Sequence, residues 1–270
     1  MSGASDEQAG AGVAPPARTV PRMRIGGLPI ARLSMAELVQ VMIEDCRAAR
    51  SGDLLHPRVV TSANGSVVAA YHADGKFRAC IDAADIVDAD GMPLVHASRL
   101  FSRHPLAERT ATTDFLLEAA RAAAECGLRF YFLGARAGVA ARAAEHLRSR
   151  FPGLQIVGTR NGYFARDEVP AICEKILASK ADVLWLGLGS PLQEALALEL
   201  RDRLCGLGWI RTCGGLFDHY GGGVSRAPAW MQAAGLEWLY RGAREPLRLG
   251  WRYLVTSPVA AYHLMTKTGD

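Results

Sequence analysis

Residues 88–91 read Asp-Ala-Asp-Gly and follow apolar Ile86-Val87. Open α/β sheets hold their ligands at the carboxyl ends of strands, and Gly91 lets the chain turn tightly there. Asp90 is therefore a candidate catalytic residue, since a carboxylate at that edge can take a proton from an attacking hydroxyl. An Asp before a Gly is also an ordinary turn former. Asp88-x-Asp90 has the D-x-D form that can hold a divalent cation on a diphosphate, because hard cations favour carboxylate oxygens. The alternative for Asp88 is a solvent-facing bystander.

Three more groups of residues could join Asp90. Thr61, Ser62 and Asn64 end another apolar run, Pro57 to Ser62, and Asn64 could hold hydroxyls or simply turn the chain with Gly65. Glycine turns close two further runs: Gly134-x-x-x-Gly138 after LRFYFL, and Gly187-x-Gly189 at the end of VLWLGL. Each precedes a helix, so backbone N–H groups there can approach a phosphate. Neither is a GxGxxG or P-loop pattern, which argues against a dinucleotide-dependent oxidoreductase. Pro191-Leu192-Gln193-Glu194 opens the helix after the second turn. Pro191 and Glu194 suit a helix start, whereas Gln193 is left to face a ligand.

The last 47 residues carry Arg226, Arg241, Arg244, Arg248 and Arg252, interleaved with Trp230, Trp238, Tyr240, Trp251 and Tyr253. On one helix the last four arginines would span an arc of about 80°, although Pro246 divides the segment. Such a face suits an anionic membrane surface, a solvated packing face or a diphosphate, for which guanidinium is well shaped.

The elements that must position these residues alternate. Strands are expected at 57–62, 86–87, 128–133, 154–158, 183–188 and 209–213. Helices are expected at 67–72, 77–84, 113–126, 139–150, 166–180 and 193–204. A broken β segment at 23–30 and a helix from the capping box Ser34-Met35-Ala36-Glu37 precede them. The strands are continuous apolar runs, so the expected fold is α/β: a Rossmann-like, mostly parallel sheet with helices on both faces. A C-terminal helical appendage follows it. Residues 1–22 read as a disordered leader, 23–223 as the α/β domain and 224–270 as the basic, aromatic appendage.

Composition excludes several classes. The chain has 270 residues, half of them apolar, and a net charge of +4, too mild to demand nucleic acid. Six scattered cysteines form no CxxC pair, which fits a reducing compartment. The sequence has no signal-peptide pattern and no uninterrupted apolar span of about 18 residues.

The motifs together resemble the WecG/TagA/CpsF glycosyltransferases, bacterial enzymes that extend lipid-linked sugars. The resemblance rests on Asn64, Asp90-Gly91, Glu108-Arg109, FLGARAGVA (132–140), FPGLQIVG (151–158), Asn161-Gly162-Tyr163-Phe164, GLGSPLQE (187–194), GGLFDHYGGGVSRAP (214–228) and LEWLYRGAREPLR (236–248). It runs from about residue 57 to 253, in family order. It implies inverting transfer from a UDP-sugar to an undecaprenyl-diphosphate-linked sugar, with no required metal or other cofactor. Asp90 then falls on the general base, Asn64 and Gln193 on polar active-site residues, and Asp218 near the uridine. Thr61, Ser62, Arg109, Gly134, Gly187 and Gly189 fall in the substrate site. Arg226, Arg241, Arg244 and Arg248 fall on an appendage that closes over the site and touches the membrane. The implied location is the cytoplasmic face of the plasma membrane, with a homo-oligomer possible.

Three positions depart from the family pattern. Ser62 stands where a Thr is usual, with Thr61 one residue earlier; Leu192 replaces a Lys; and Thr112-Thr113 replaces a Gly. These departures leave the donor open between an N-acetylmannosamine type and glucose, as in exopolysaccharide synthesis. A nonenzymatic UDP-sugar-binding or lipid-binding protein on the membrane is the competing class.

Overall fold

The structure is a computed structural model. It describes residues 19–224, 226–228, 230–231, 237–244, 246 and 250–270, and only the backbone of Trp238 and Arg241. Arg248, most of the leader and the side chains of Trp238 and Arg241 therefore lie outside the described residues.

The chain opens with an antiparallel hairpin, β1 (Arg22–Ile25) and β2 (Leu28–Ala31), turned at Gly26-Gly27. Helix α1 (Met35–Ser51) follows. Ser34 accepts from the Glu37 N–H while the Glu37 carboxylate accepts from the Ser34 N–H, so the expected capping box is formed. Then come β3 (Arg58–Ala63), α2 (Gly65–Ala73), α3 (Gly75–Ala83), β4 (Ile86–Ala89), α4 (Met92–Phe101) and α5 (Thr112–Cys126). The second half runs β5 (Arg129–Gly134), α6 (Val139–Arg150), β6 (Gln155–Arg160), α7 (Val169–Ala178), β7 (Val183–Gly187), α8 (Leu192–Arg201), β8 (Trp209–Thr212) and α9 (Leu216–Gly221). Helices α10 (Glu237–Arg244) and α11 (Trp251–Thr266) complete the described chain.

Six strands form one parallel sheet in the order β4-β3-β8-β7-β5-β6. The apolar runs explain it, because alternate residues of each strand feed two cores. Leu184, Leu186, Ile210 and Leu133 pack under α2, α3, α7 and α8, while Val183, Trp185, Trp209 and Phe132 pack under α1, α5, α6 and α9. After β5 the chain leaves toward β6, and after β7 it leaves toward β8 on the other side. The order reverses between these neighbours, which is where doubly wound sheets open a ligand crevice.

Two details differ from the sequence expectation. Helix α5 starts at Thr112, one residue before the expected 113, with Ala111 at the cap position and no side-chain cap. Residues 92–101, for which no element is expected, are helical; Pro93 sits in the first turn, where its missing N–H costs nothing.

The C-terminal helix is docked. Ala260 and Leu264 of α11 are buried in the core that covers α2. The Gly27 N–H donates to Lys267 O (2.8 Å), Gly26 N–H to Thr268 Oγ1 (2.9 Å), and Asp270 accepts from the Ser102 hydroxyl and the Arg103 N–H. These bonds tie the end of the chain to the β1–β2 turn and to the end of α4.

Candidate active site

The carboxyl ends of the strands carry the predicted residues. Asp90 follows β4: its N–H donates to Ala63 O of β3 (2.9 Å), and its Oδ1 accepts from the Thr112 N–H at the start of α5 (3.0 Å). Among the described residues no group takes the other carboxylate oxygen, so Asp90 is held at one end and free to act at the other. Asn64 stands beside it. A Cβ on Gly91 would lie 3.3 Å from both Cα and Cβ of Asn64, so this corner is tightly closed. Asn64 Oδ1 caps α2 through the Ser66 and Val67 N–H groups (3.1 and 3.2 Å), which leaves its NH₂ group as the part able to donate to a ligand. Turn former and site residue are thus the same residue.

Gln193 does something different from facing a ligand alone. It is buried, and its Oε1 accepts from the N–H groups of Gly214 (2.9 Å) and Gly189 (3.3 Å), while its amide donates to Glu194 (2.9 Å). It braces the turn after β7 against the turn after β8. Glu194, expected only to favour the positive helix end, is also buried. It accepts from Ser190 Oγ (2.7 Å) and, at 3.5 Å, from Thr61 Oγ1, while Thr61 accepts from Thr212 Oγ1 (2.8 Å). The Thr61 hydroxyl therefore points into a buried polar floor.

Ser62 and Asp88 belong to another buried cluster, centred on Arg211 of β8. Arg211 Nη2 donates to Asp88 Oδ2 (2.7 Å), Ser62 Oγ (2.8 Å) and Thr112 Oγ1 (3.3 Å). Burial pushes the Asp88 carboxyl up to about 6, against the opposing pull of Arg211. Asp88 is thus neither solvent-facing nor available as half of a D-x-D metal site, because its carboxylate is committed to a buried guanidinium. Among the described residues no cluster of three or more His, Cys, Asp or Glu side chains could hold a metal ion.

The two glycine turns meet across the crevice. Gly134 and Gly187 are paired neighbours at the ends of β5 and β7. Gly134 has φ +154, and a Cβ there would fall on the Gly187 carbonyl, with Gly187 Cα and C at 2.7 Å. Only glycine lets the two backbones pass. Gly134→Ala is expected to lose about 3 kcal/mol of stability, from backbone strain and overpacking combined, and to melt about 10 °C lower. Thermal unfolding followed by circular dichroism checks this; an unchanged transition would contradict the close approach.

In front of α6, at the carboxyl ends of β5 and β6, lies a cleft of about 250 Å³ lined by Gly138, Thr159, Arg160 and Asn161 among others. Helix N–H groups there can approach an anion, and the Arg160 guanidinium at its edge is paired with Glu168 (2.7 Å). A larger cleft of about 590 Å³, lined by Arg58, Asp85 and Arg201 among others, opens at the amino ends of β3 and β4, on the edge away from Asp90. Asp218, half-buried, lies in the first turn of α9, just past β8.

Arg109 and Arg226 meet in one ion network. Arg226 Nη1 lies 2.6 Å from Asp114 Oδ1 and its Nε 3.6 Å from Glu237; Arg109 reaches Asp114 at 3.5 Å and Glu237 at 3.4 Å. Thr110 N–H donates to Ala89 O (2.9 Å), so this network starts one residue from the end of β4. It draws together the α4–α5 loop, α5, the segment after α9 and the start of α10. Arg244 and Arg252 lie apart from it, exposed beside the rings of Tyr240 and Tyr253. Sequence reasoning missed Arg211, Asp114 and Glu237. For Arg211 the available signal was a charge inside the apolar strand Trp209-Ile-Arg-Thr212.

Comparison with known proteins gives the family of the chain. A profile of the Glycosyl transferase WecG/TagA/CpsF family matches residues 23–269. A protein of Bacillus spizizenii named N-acetylglucosaminyldiphosphoundecaprenol N-acetyl-beta-D-mannosaminyltransferase is 31% identical over 199 residues, 74% of this chain and 75% of that protein. A parallel sheet bearing Asp90, Asn64 and Gln193 along its carboxyl edge, matched over nearly its whole length, makes this chain a glycosyltransferase of the WecG/TagA/CpsF family.

Proposed function

We propose that the protein transfers a sugar from a UDP-sugar to an undecaprenyl-diphosphate-linked sugar, with inversion, in the synthesis of a bacterial cell-surface or exported polysaccharide. The observation that carries this reading is Asp90, anchored through one oxygen to the Thr112 N–H and unengaged at the other. The unengaged oxygen accepts the proton of an acceptor hydroxyl as that hydroxyl attacks the anomeric carbon. The bond to the UDP oxygen breaks as the new glycosidic bond forms. Asn64 donates to the sugar. Negative charge growing on the leaving diphosphate is met by N–H groups of the glycine turns and by Arg109 and Arg226, once these release their carboxylate partners. Gln193 keeps the two turns in register, and Asp218 is the residue that the family resemblance sets near the uridine.

The name of the Bacillus spizizenii relative supports a lipid-linked N-acetylglucosamine acceptor. The donor is either of the N-acetylmannosamine type or glucose, and Ser62, Leu192 and Thr112-Thr113 are the departures from the family pattern that leave it open. No helix among the described residues is long and apolar enough to cross a membrane. The lipid acceptor therefore implies docking at the surface, on the cytoplasmic face where nucleotide sugars are made, and α10 and α11 supply the contact. In this division residues 23–223 form the catalytic unit and 224–270 the membrane-facing one.

The test is UDP release over a panel of UDP-sugars with a lipid-diphosphate-sugar acceptor, with and without EDTA. Acceptor-dependent release with one donor, unaffected by EDTA, is expected. Release with no UDP-sugar would refute the donor class, and loss of release in EDTA would refute the metal-independent mechanism.

A further inference from the structure

Beneath Asp90 lies a buried ion pair that takes no part in the transfer step itself. Arg211 and Asp88 are both buried, and Arg211 is fully excluded from solvent in the middle of an apolar strand. Its guanidinium lies over the Phe115 ring, 5.3 Å from the centroid. Nε and Nη1 of Arg211 and Oδ1 of Asp88 have no hydrogen-bond partner among the described residues. Such a pair is a poor stabiliser: desolvation offsets its attraction, and well-packed apolar side chains in its place are commonly neutral or better. Its cost calls for a reason other than stability.

The contacts supply one. All three acceptors of Arg211 Nη2 frame Asp90. Asp88 lies on β4, two residues before Asp90. Ser62 is the cross-strand neighbour of Asp88. Thr112 provides the N–H that holds Asp90 Oδ1, and its hydroxyl lies 2.8 Å from that of Ser62. One guanidinium nitrogen therefore ties β8, β3, β4 and the start of α5 together directly below the candidate base.

We propose that Arg211, with Asp88, is a positioning residue for the reaction: by fixing Ser62 and Thr112 it sets the angle at which the Asp90 carboxylate meets the acceptor hydroxyl. This rests on Asp90 being the base. It also gives the Ser62 position a role within the scaffold, because its hydroxyl is shared between Thr112 and Arg211.

The experiment replaces the pair together, Asp88→Leu with Arg211→Met, in the full chain. The variant is assayed beside the wild type with lipid-diphosphate-sugar acceptor and UDP-N-acetylmannosamine or UDP-glucose, whichever the wild type uses. An unchanged or higher melting temperature is expected, with donor KM near the wild-type value and kcat lower by about 10- to 100-fold, the scale of a small misplacement of a reacting group. Arg211→Lys, which keeps the charge but loses the planar fork, is expected to fall between the two. A double variant with wild-type kcat overturns the proposal. Should the double variant lose its cooperative melt, Arg211→Lys decides on the same terms: wild-type kcat overturns, lowered kcat at unchanged KM supports. Asp90→Asn, run in parallel, separates the readings. If it is inactive while the double variant is fully active, only the positioning role fails; if it is itself active, the base assignment fails.

Discussion

Replacing Asp90 by Asn is expected to lower kcat by about 10² to 10³, the usual contribution of a positioned general base. The fold and the donor KM should be almost unaffected. Asn keeps an oxygen that can accept the Thr112 N–H bond of 3.0 Å, so the anchoring end of the side chain is preserved. What it loses is the second, proton-accepting oxygen. An effect on kcat and kcat/KM alike, with KM unchanged, is the signature of an interaction made only in the transition state. Acceptor-dependent UDP release at saturating donor measures it. A rate within a few-fold of wild type would remove Asp90 from the chemistry and leave it as the turn former that its Gly91 neighbour also allows.

Much of the scaffold was legible because it is written locally. Ser34 and Glu37 stand at capping-box spacing, Gly26-Gly27 sits at the hairpin turn, and strands such as Val183 to Gly187 are apolar at every position because both faces are covered. Asn64, Asp90 and the glycine turns were readable for the same reason: each ends a strand. The residues that escaped depend on the order of strands in the sheet. Arg211 meets Asp88, 123 residues away, only because β8 lies beside β3 and β3 beside β4. Glu194 reads as a helix-start acid until Thr61 arrives from β3 to share its pocket. In the tail the arginines and indoles leave a membrane face, a packing face and a diphosphate contact open. Arg226 is turned onto Asp114 and Glu237, and α11 is seated on α2 by Ala260 and Leu264. Period alone does not reveal which side of such a helix is bound.

The unbound side of α11 leads to the second large effect. Trp251, Leu254, Val255, Val259, Tyr262 and Met265 are all exposed. At 100° per residue they occupy an arc of roughly 140°, opposite buried Ala260 and Leu264. An apolar stripe of this width on a soluble surface marks an interaction face. Arg252 beside it, and Arg244 on α10, supply the charge that anionic lipid attracts. Burying one large apolar side chain contributes about 1.5–3 kcal/mol. Replacing Trp251 and Leu254 by Glu removes two anchors and adds two charges, so vesicle binding should weaken by about 10² or more. Neither residue faces the core, so the melting temperature should hold. Transfer to an acceptor embedded in vesicles containing anionic lipid is expected to drop about as far as binding does, while transfer to a short-chain, water-soluble lipid-diphosphate-sugar should stay at the wild-type rate. Co-sedimentation with those vesicles and the two transfer rates check this together. A double variant that still sediments with vesicles would refute the stripe as the lipid contact, and an equal loss with both acceptors would place its effect in the active site instead.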